Sequence, residues 1–273
     1  MAEIVTAYCA AHAPMQAANP ESASEEQQAG FFGALEKVRR QAEAARPQAV
    51  VMLSGEHFTN YFLNALPQLA VGLAEKYDAP HARWLRMQHS VVPGEPKLGE
   101  HIVTELMKRS YWAALSHEME PDHGFLTVYG QLDPSWQIPL VPMVLNCTTP
   151  PLMTLRQSYE FGAALGESLR SYEGLERVAL VGAGGVSHFV GEPRVGDIDE
   201  DFDRWFLEEL GKPGCGELLD LPNDELMEAG NGTGEVRAWV AVAAAMRGHE
   251  MQALSYEPIY EWINGMAVVT WTP

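Results

Sequence analysis

The chain has 273 residues, 47 % hydrophobic and 20 % charged, enough apolar material for one large α/β unit or two closely joined halves. Lys and Arg number 18 against 37 Asp and Glu, a formal charge of -19, which excludes a cationic nucleic-acid surface and docking on anionic lipid. Three widely spaced cysteines, Cys9, Cys147 and Cys215, form no CxxC pair and no disulfide framework, as suits a reducing cytoplasm. The opening MAEIVTAYCAAHAP has no basic leader region, and no run of about 18 apolar residues is present to span a membrane. A cytoplasmic protein without a membrane or nucleic-acid partner is expected.

Taken in order, residues 4–10 read as a strand, and after a loop over 14–26 a helix runs from 31 to 45. AVVMLS (49–54) is a buried strand, 98–109 a helix, IPLVPMVLN (138–146) strand-like and 155–171 a helix. RVALV (177–181) is another buried strand, 199–210 a helix, and 234–246 a helix with an Ala-rich face. Further loops are placed at 92–98, 191–198 and 210–216 by their Pro, Gly and acidic content. Continuous apolar strands alternating with helices predict an α/β fold: one domain, a mostly parallel central sheet covered on both faces, and a cleft at the strand carboxyl ends.

Three of the nine histidines fall just after predicted strands: His12 in CAAHAP, His57 in SGEHF and His188 in GGVSH. His123 lies in PDHGF, read as a polar turn. Any one of these alone is more simply a hydrogen-bonded core residue; three at equivalent strand ends are harder to assign to chance. His81, His89, His101, His117 and His249 sit in charged or loop contexts and read as surface residues. GAGG at 182–185 lacks both the dinucleotide spacing and the Walker lysine, and Ser187 lacks the GxSxG setting of a nucleophile. The glycines instead turn the backbone sharply and present His188. Glu235, after the GNGTG turn at a helix start, complements a helix dipole or serves as a metal ligand. Two imidazoles and one carboxylate on one face are a set that leaves Fe(II) open positions for substrate and dioxygen.

The segments CAAHAP, AVVMLSGEHFTNYFLNALPQLAVGL, PDHGF, VPMVLNCTTP, LVGAGGVSHF, TGEVRAWVAVAAA and YEPIYEWINGM, in that order, resemble class III extradiol ring-cleavage dioxygenases. That group contains the protocatechuate 4,5-dioxygenase β subunits and the 2,3-dihydroxyphenylpropionate 1,2-dioxygenases. The resemblance spans residues 4 to 267, and the stretch between His188 and Glu235 looks shorter than in the latter enzymes. It implies a catalytic domain over 1–273, Fe(II) bound by His12, His57 and Glu235, and His123 and His188 as an acid/base pair. It further implies a catechol-type or gallate-type substrate, dioxygen as co-substrate and a ring-opened semialdehyde-type product. A homo-oligomer is expected, with a small partner subunit closing the site in some members. Tyr256 and Trp262 are candidate aromatic contacts for substrate, with core packing the equal alternative. Arg194 and Arg237 are candidates for meeting a substrate carboxylate, though surface salt bridges are the commoner use. Two other classes stay open: a zinc hydrolase on the same His/His/Glu set, and a non-catalytic accessory member of the fold.

Overall fold

The computed structural model describes residues 1–79, 84–87 and 89–272, so His81 lies outside the described residues. In chain order the elements are β1 (Glu3–Ala10), α1 (Met15–Ala18), α2 (Glu25–Ala45), β2 (Ala49–Gly55), β3 (Leu69–Gly72), β4 (Lys76–Ala79) and β5 (Ser90–Pro93). There follow α3 (Pro96–Met107), β6 (Ala114–Ser116), α4 (His123–Leu132), β7 (Leu140–Leu145), α5 (Leu155–Ser171) and β8 (Arg177–Ala183). The last are α6 (Glu200–Gly211), α7 (Asn223–Glu228), α8 (Val236–Ala245), β9 (Met251–Ile259) and β10 (Asn264–Trp271). Short 3-10 turns lie at Pro20–Ser22, Pro213–Asp220, Thr233–Glu235 and Tyr260–Trp262.

Eight strands form one sheet in the order β6-β3-β7-β2-β8-β1-β10-β9, and β4 pairs with β5 separately. Its centre, β7-β2-β8-β1, is parallel, as the apolar runs predict. Every residue of AVVMLSG and LVPMVL is buried, the pattern of strands covered on both faces. The flanks are mixed: β10 runs antiparallel to β1 and β9, β3 runs antiparallel to β7, and β6 runs parallel to β3. Helices α2 and α4 pack together against the sheet, and α5 and α8 form a second such pair, covering the two faces. All ten residues of α8 are buried, so its alanines admit close neighbours on every side. Among the described residues no helix is long and apolar enough to cross a membrane.

Several boundaries differ from the sequence reading for local reasons. Helix α2 opens at Glu25, inside the predicted 14–26 loop, because Ser24 and Gln27 form a reciprocal capping box. The rest of that loop holds α1 and a 3-10 turn. PDHGF is not a free turn but the start of α4, with Asp122 as its N-cap. The 210–216 stretch leads into the Pro213–Asp220 3-10 turn, and β5 and α3 occupy the ends of the 92–98 stretch.

Candidate active site

In the sheet, β8 lies between β1 and β2, with Ala183 opposite Ala10 and Gly182 opposite Leu53, so the three strands end level. The chain leaves β1 into His12, β2 into His57, and β8 into the 184–188 turn that ends in His188. His123 arrives as the first residue of α4, and Glu235 from the turn that precedes α8. The fold thus brings all five residues together from five separate segments.

His12 Nε2 stands 3.1 Å from His57 Nε2, His57 Nε2 2.9 Å from Glu235 Oε1, and His12 Nε2 3.6 Å from that same oxygen. The His123 ring centroid lies 4.3 Å from that of His57 and 5.4 Å from that of His12. Ring nitrogens of His12, His57 and His123 also fall within 4.8 Å of one another. Two donor sets therefore overlap, sharing His12 and His57, with the third place open to Glu235 or to His123. The Glu235 set, with separations of 2.9 to 3.6 Å, carries the anionic charge that a cation favours. On the far side of Glu235, His188 Nε2 lies 3.9 Å from Oε2, and Oε2 accepts the Gly185 N–H at 2.7 Å.

The His57 and His188 rings are held from behind. His57 Nδ1 donates to Asp122 Oδ2 at 2.9 Å, while Asp122 Oδ1 caps α4 by accepting the Gly124 N–H at 2.8 Å. His188 Nδ1 lies 3.3 Å from the Val186 carbonyl, which can only accept, so this nitrogen carries the proton and Nε2 keeps its lone pair. Asn264 Nδ2 donates to the His12 carbonyl at 2.8 Å. Glycines, Gly185 among them, make room for these rings. A Cβ at Gly232 would sit 2.0 Å from His188 Nε2, and one at Gly124 would sit 2.7 Å from His57 Cε1.

His12, His188, Glu235 and Asp122 are buried, whereas His57 and His123 are half-buried, so the cluster opens to solvent on the side of those two rings. Burial drops the pKa of His12 to about 4, and burial together with the charge on His57 drops that of His123 to about 3. Burial also lowers His188. For His57 burial opposes charge, but Asp122 and Glu235 outweigh it and hold this ring well above an ordinary histidine. The same contacts overcome burial to hold Asp122 at about 2 and Glu235 well below the usual carboxylate range. Two buried carboxylates thus favour the charged form of the His57 ring over that of its neighbours.

The two aromatic candidates do not join this cluster. Trp262 has no exposed surface and packs its ring against Phe31 and Phe32, so it is core and not pocket wall. Tyr256 donates its hydroxyl to Asp203 at 2.8 Å and lies under the Arg204 guanidinium. Arg237 is fully buried, its donors spent on the Met153 and Gly234 carbonyls and on Asn223 Oδ1, which leaves it no free fork for a substrate carboxylate. Arg194 makes a surface ion pair with Asp197 and covers the Phe189 ring. His89, His117 and His249 are exposed, as read from sequence, while His101 is half-buried and reaches the Ser168 carbonyl. A cavity of about 580 Å³ between α1, α2 and α4, lined by Gln16, Phe32, Arg39 and Trp136, contains none of the five residues. Sequence reasoning missed Asp122, although it directly precedes His123 in PDHGF, and missed Asn264, which lay unremarked in YEPIYEWINGM.

The chain matches the family model described as the catalytic LigB subunit of aromatic ring-opening dioxygenase over residues 6–268. It is 26% identical to a protein of Photorhabdus laumondii named 2,3-dihydroxyphenylpropionate/2,3-dihydroxicinnamic acid 1,2-dioxygenase, covering 97% of this chain and 96% of the relative. Proteins of the same name from Azotobacter vinelandii and Cupriavidus necator are 23% and 26% identical, over 96% and 85% of this chain and 97% and 87% of the relatives. The Photorhabdus alignment extends over 318 positions, so the relative carries insertions that these 273 residues lack. The crystal structure of an uncharacterized protein from Escherichia coli K12 has the same fold, with a TM-score of 0.60 at 19% identity over 97% of this chain and 99% of that one. With a family match over nearly its whole length, the chain belongs to the catalytic LigB subunits of aromatic ring-opening dioxygenases, the class III extradiol group that its motifs resemble.

Proposed function

We propose that this protein is an Fe(II)-dependent extradiol dioxygenase that opens the ring of a catechol-type aromatic, with residues 1–273 as one catalytic domain. In this reading His12, His57 and Glu235 hold the ion, and His123 and His188 move protons. The observation that carries it is the donor triangle. Neighbouring ligands about 2.1 Å from one octahedral ion stand about 3.0 Å apart, close to the separations of 3.1, 2.9 and 3.6 Å. His57 also has the carboxylate behind it that ligating histidines commonly use to fix their tautomer. Around the same place His12 Nδ1, Ser54 Oγ, Thr233 Oγ1 and Asn264 Oδ1 are buried without a hydrogen-bond partner, which suits a site that takes polar ligands.

A ferrous ion in that set supplies a Lewis acid for the catechol hydroxyls and the redox chemistry that dioxygen requires. The protein's own part is proton handling. His188, its Nδ1–H turned to the Val186 carbonyl, offers Nε2 as the base that takes a hydroxyl proton from the catechol. His123, kept neutral by burial, retains an N–H that donates a hydrogen bond toward oxygen as negative charge develops there, and His188 returns the proton it took as the ring opens. The surface charge of -19 gives an anionic substrate no long-range attraction, so a ring carboxylate is captured locally. The names of the relatives make a catechol with a propionate or propenoate side chain the first substrate to test, ahead of protocatechuate and gallate-type triols.

A second reading, a zinc hydrolase, draws on the all-imidazole set of His12, His57 and His123. Anaerobic loading with Fe(II) or Zn(II), addition of a catechol panel and then oxygen separates the two. A yellow ring-opened product from the iron form alone is expected; its absence with every catechol overturns the dioxygenase reading. His12→Ala, His57→Ala and Glu235→Ala are expected to lose iron, whereas His123→Ala keeps it and loses turnover. Stoichiometric tight iron in the triple ligand variant overturns the ligand set. Self-association into a homo-oligomer, part of the same reading, is checked by light scattering.

A further inference from the structure

Among the described residues Asp203 on α6 is the most completely buried acid, at 0 % exposure, and nothing in the proton chemistry above uses it. No cation among those residues makes an ion pair with it. Arg204, its neighbour in sequence, is engaged by Glu200 and by the face of Tyr256. An acid group buried without a counter-ion is costly whether it is ionised or forced to keep its proton, so its retention calls for a compensating use. Its two oxygens point in different directions. Oδ1 accepts the backbone N–H of Ser187 at 2.7 Å, and Oδ2 accepts the Tyr256 hydroxyl of β9 at 2.8 Å.

Ser187 is the residue before His188, and it is held at three points. Besides the Asp203 bond, its Oγ accepts the Asp199 N–H at the start of α6 at 2.8 Å, and its carbonyl accepts the Gly265 N–H of β10 at 3.1 Å. The turn that is anchored in this way carries His188 at its end and the Gly185 N–H that meets Glu235 in its middle. From this geometry we propose that Asp203, braced by Tyr256, is a positioning residue that fixes the 184–188 turn and thereby the aim of the His188 ring. The proposal rests on the reading of His188 as the base, and it gives Tyr256 a supporting place behind the site instead of one against the substrate.

The bonding pattern supplies its own control. In Asp203→Asn the amide keeps an oxygen for the Ser187 N–H and offers an N–H to the Tyr256 oxygen, so both links persist without the charge. Asp203→Ala removes both. Tyr256→Phe removes the brace alone. An error of about 1 Å in a reacting group costs about 10²-fold in rate.

The test compares Asp203→Ala, Asp203→Asn and Tyr256→Phe with the parent, iron-loaded, for kcat and KM on the best catechol of the panel. Hydrogen–deuterium exchange of the peptide containing residues 184–188 is read in the metal-free proteins. Expected are a kcat loss of about 30- to 100-fold in Asp203→Ala with KM within threefold, and a loss of about 3- to 10-fold in Tyr256→Phe. Asp203→Asn recovers to within about threefold of the parent, and turn exchange quickens in Asp203→Ala while α5 peptides do not change. If kcat in Asp203→Ala stays within threefold, the loss appears in KM, or Asp203→Asn is as impaired as Asp203→Ala, the proposal is overturned. If Asp203→Ala does not fold, an unaltered kcat in Tyr256→Phe overturns it. A parent protein inactive on every catechol refutes the dioxygenase reading, whereas unaltered turn exchange in Asp203→Ala refutes the anchor itself.

Discussion

Replacing Gly232 by alanine puts a methyl group where the His188 ring now lies. The added Cβ would stand 2.0 Å from Nε2, 2.3 Å from Cδ2 and 2.4 Å from Cε1. Ordinary contact between such atoms is about 3.5 Å, so something must give by roughly 1 to 1.5 Å. The backbone is not what resists, because Gly232 has φ -82° and ψ -19°, which alanine adopts freely. The ring is the movable partner, and it swings off its present line. A shift of that size in the proton acceptor costs about 10²-fold in kcat, and the overpacking costs about 1–3 kcal/mol of stability, a Tm loss of about 2–4 °C for each kcal/mol. Iron content should be unchanged, since His188 is outside the ligand triangle. Oxygen-electrode kinetics, iron by chelator and thermal unfolding by circular dichroism measure the three quantities. Gly33→Ala is the matched control: it lies exposed in α2 with nothing within 4 Å of its added methyl, and it should gain about 0.5–1 kcal/mol. A folded Gly232→Ala protein with kcat within threefold of the parent would refute the assignment of His188 as the base.

Asp122→Asn separates the two duties of that residue. Asparagine caps α4 as well as aspartate does, so the start of that helix should hold; its amide N–H, however, confronts His57 Nδ1 and favours the tautomer with a protonated Nε2. Iron affinity should then fall by about 10- to 100-fold, and titration giving parental affinity would remove Asp122 from the design. For Asp203, burial first and Asp199 second raise the carboxyl to about 7 against the pull of Tyr256 and Ser187. The folded chain therefore keeps a proton that the unfolded chain, with a carboxyl pKa of about 3.9, has released. This contribution to stability is complete below about pH 4 and is lost as pH rises through 7. Between about pH 4.5 and 7.5 the Tm of Asp203→Asn should change less steeply toward alkali than that of the parent; parallel profiles would contradict this.

The parallel centre of the sheet is legible because its strands are buried on both faces, so AVVMLS and RVALV read as unbroken apolar runs. Their carboxyl ends then located His12, His57 and His188 by topology. The flanks carry no comparable signal. β3 to β6 are three or four residues long, and β9 is half-exposed along most of its length, without the alternation that marks a one-sided strand. Helix α4 escaped because it is buried nearly all round and opens on His-Gly, which reads as a turn. Asp203 was hidden for a different reason. In DIDEDFDRW it is one acid among five, and only the tertiary structure reveals that four of them cap or face solvent while this one points inward. Trp262 is the opposite case: an aromatic in a motif and an aromatic in the core look alike in sequence, so substrate contact and core packing stand as equal alternatives there.

The spacing of the cluster along the chain has a consequence for how the protein is made and kept. His12 and His57 are 45 residues apart, and His57 and Glu235 are separated by 178. An ion held by these three spans most of the polypeptide and binds only once the distant segments have met, so it acts as a removable cross-link. Ligation by the native state alone deepens stability by about 2.7 kcal/mol when free metal stands at about a hundred times its dissociation constant. Metal supply would then govern how long the chain resists proteolysis as well as whether it turns over.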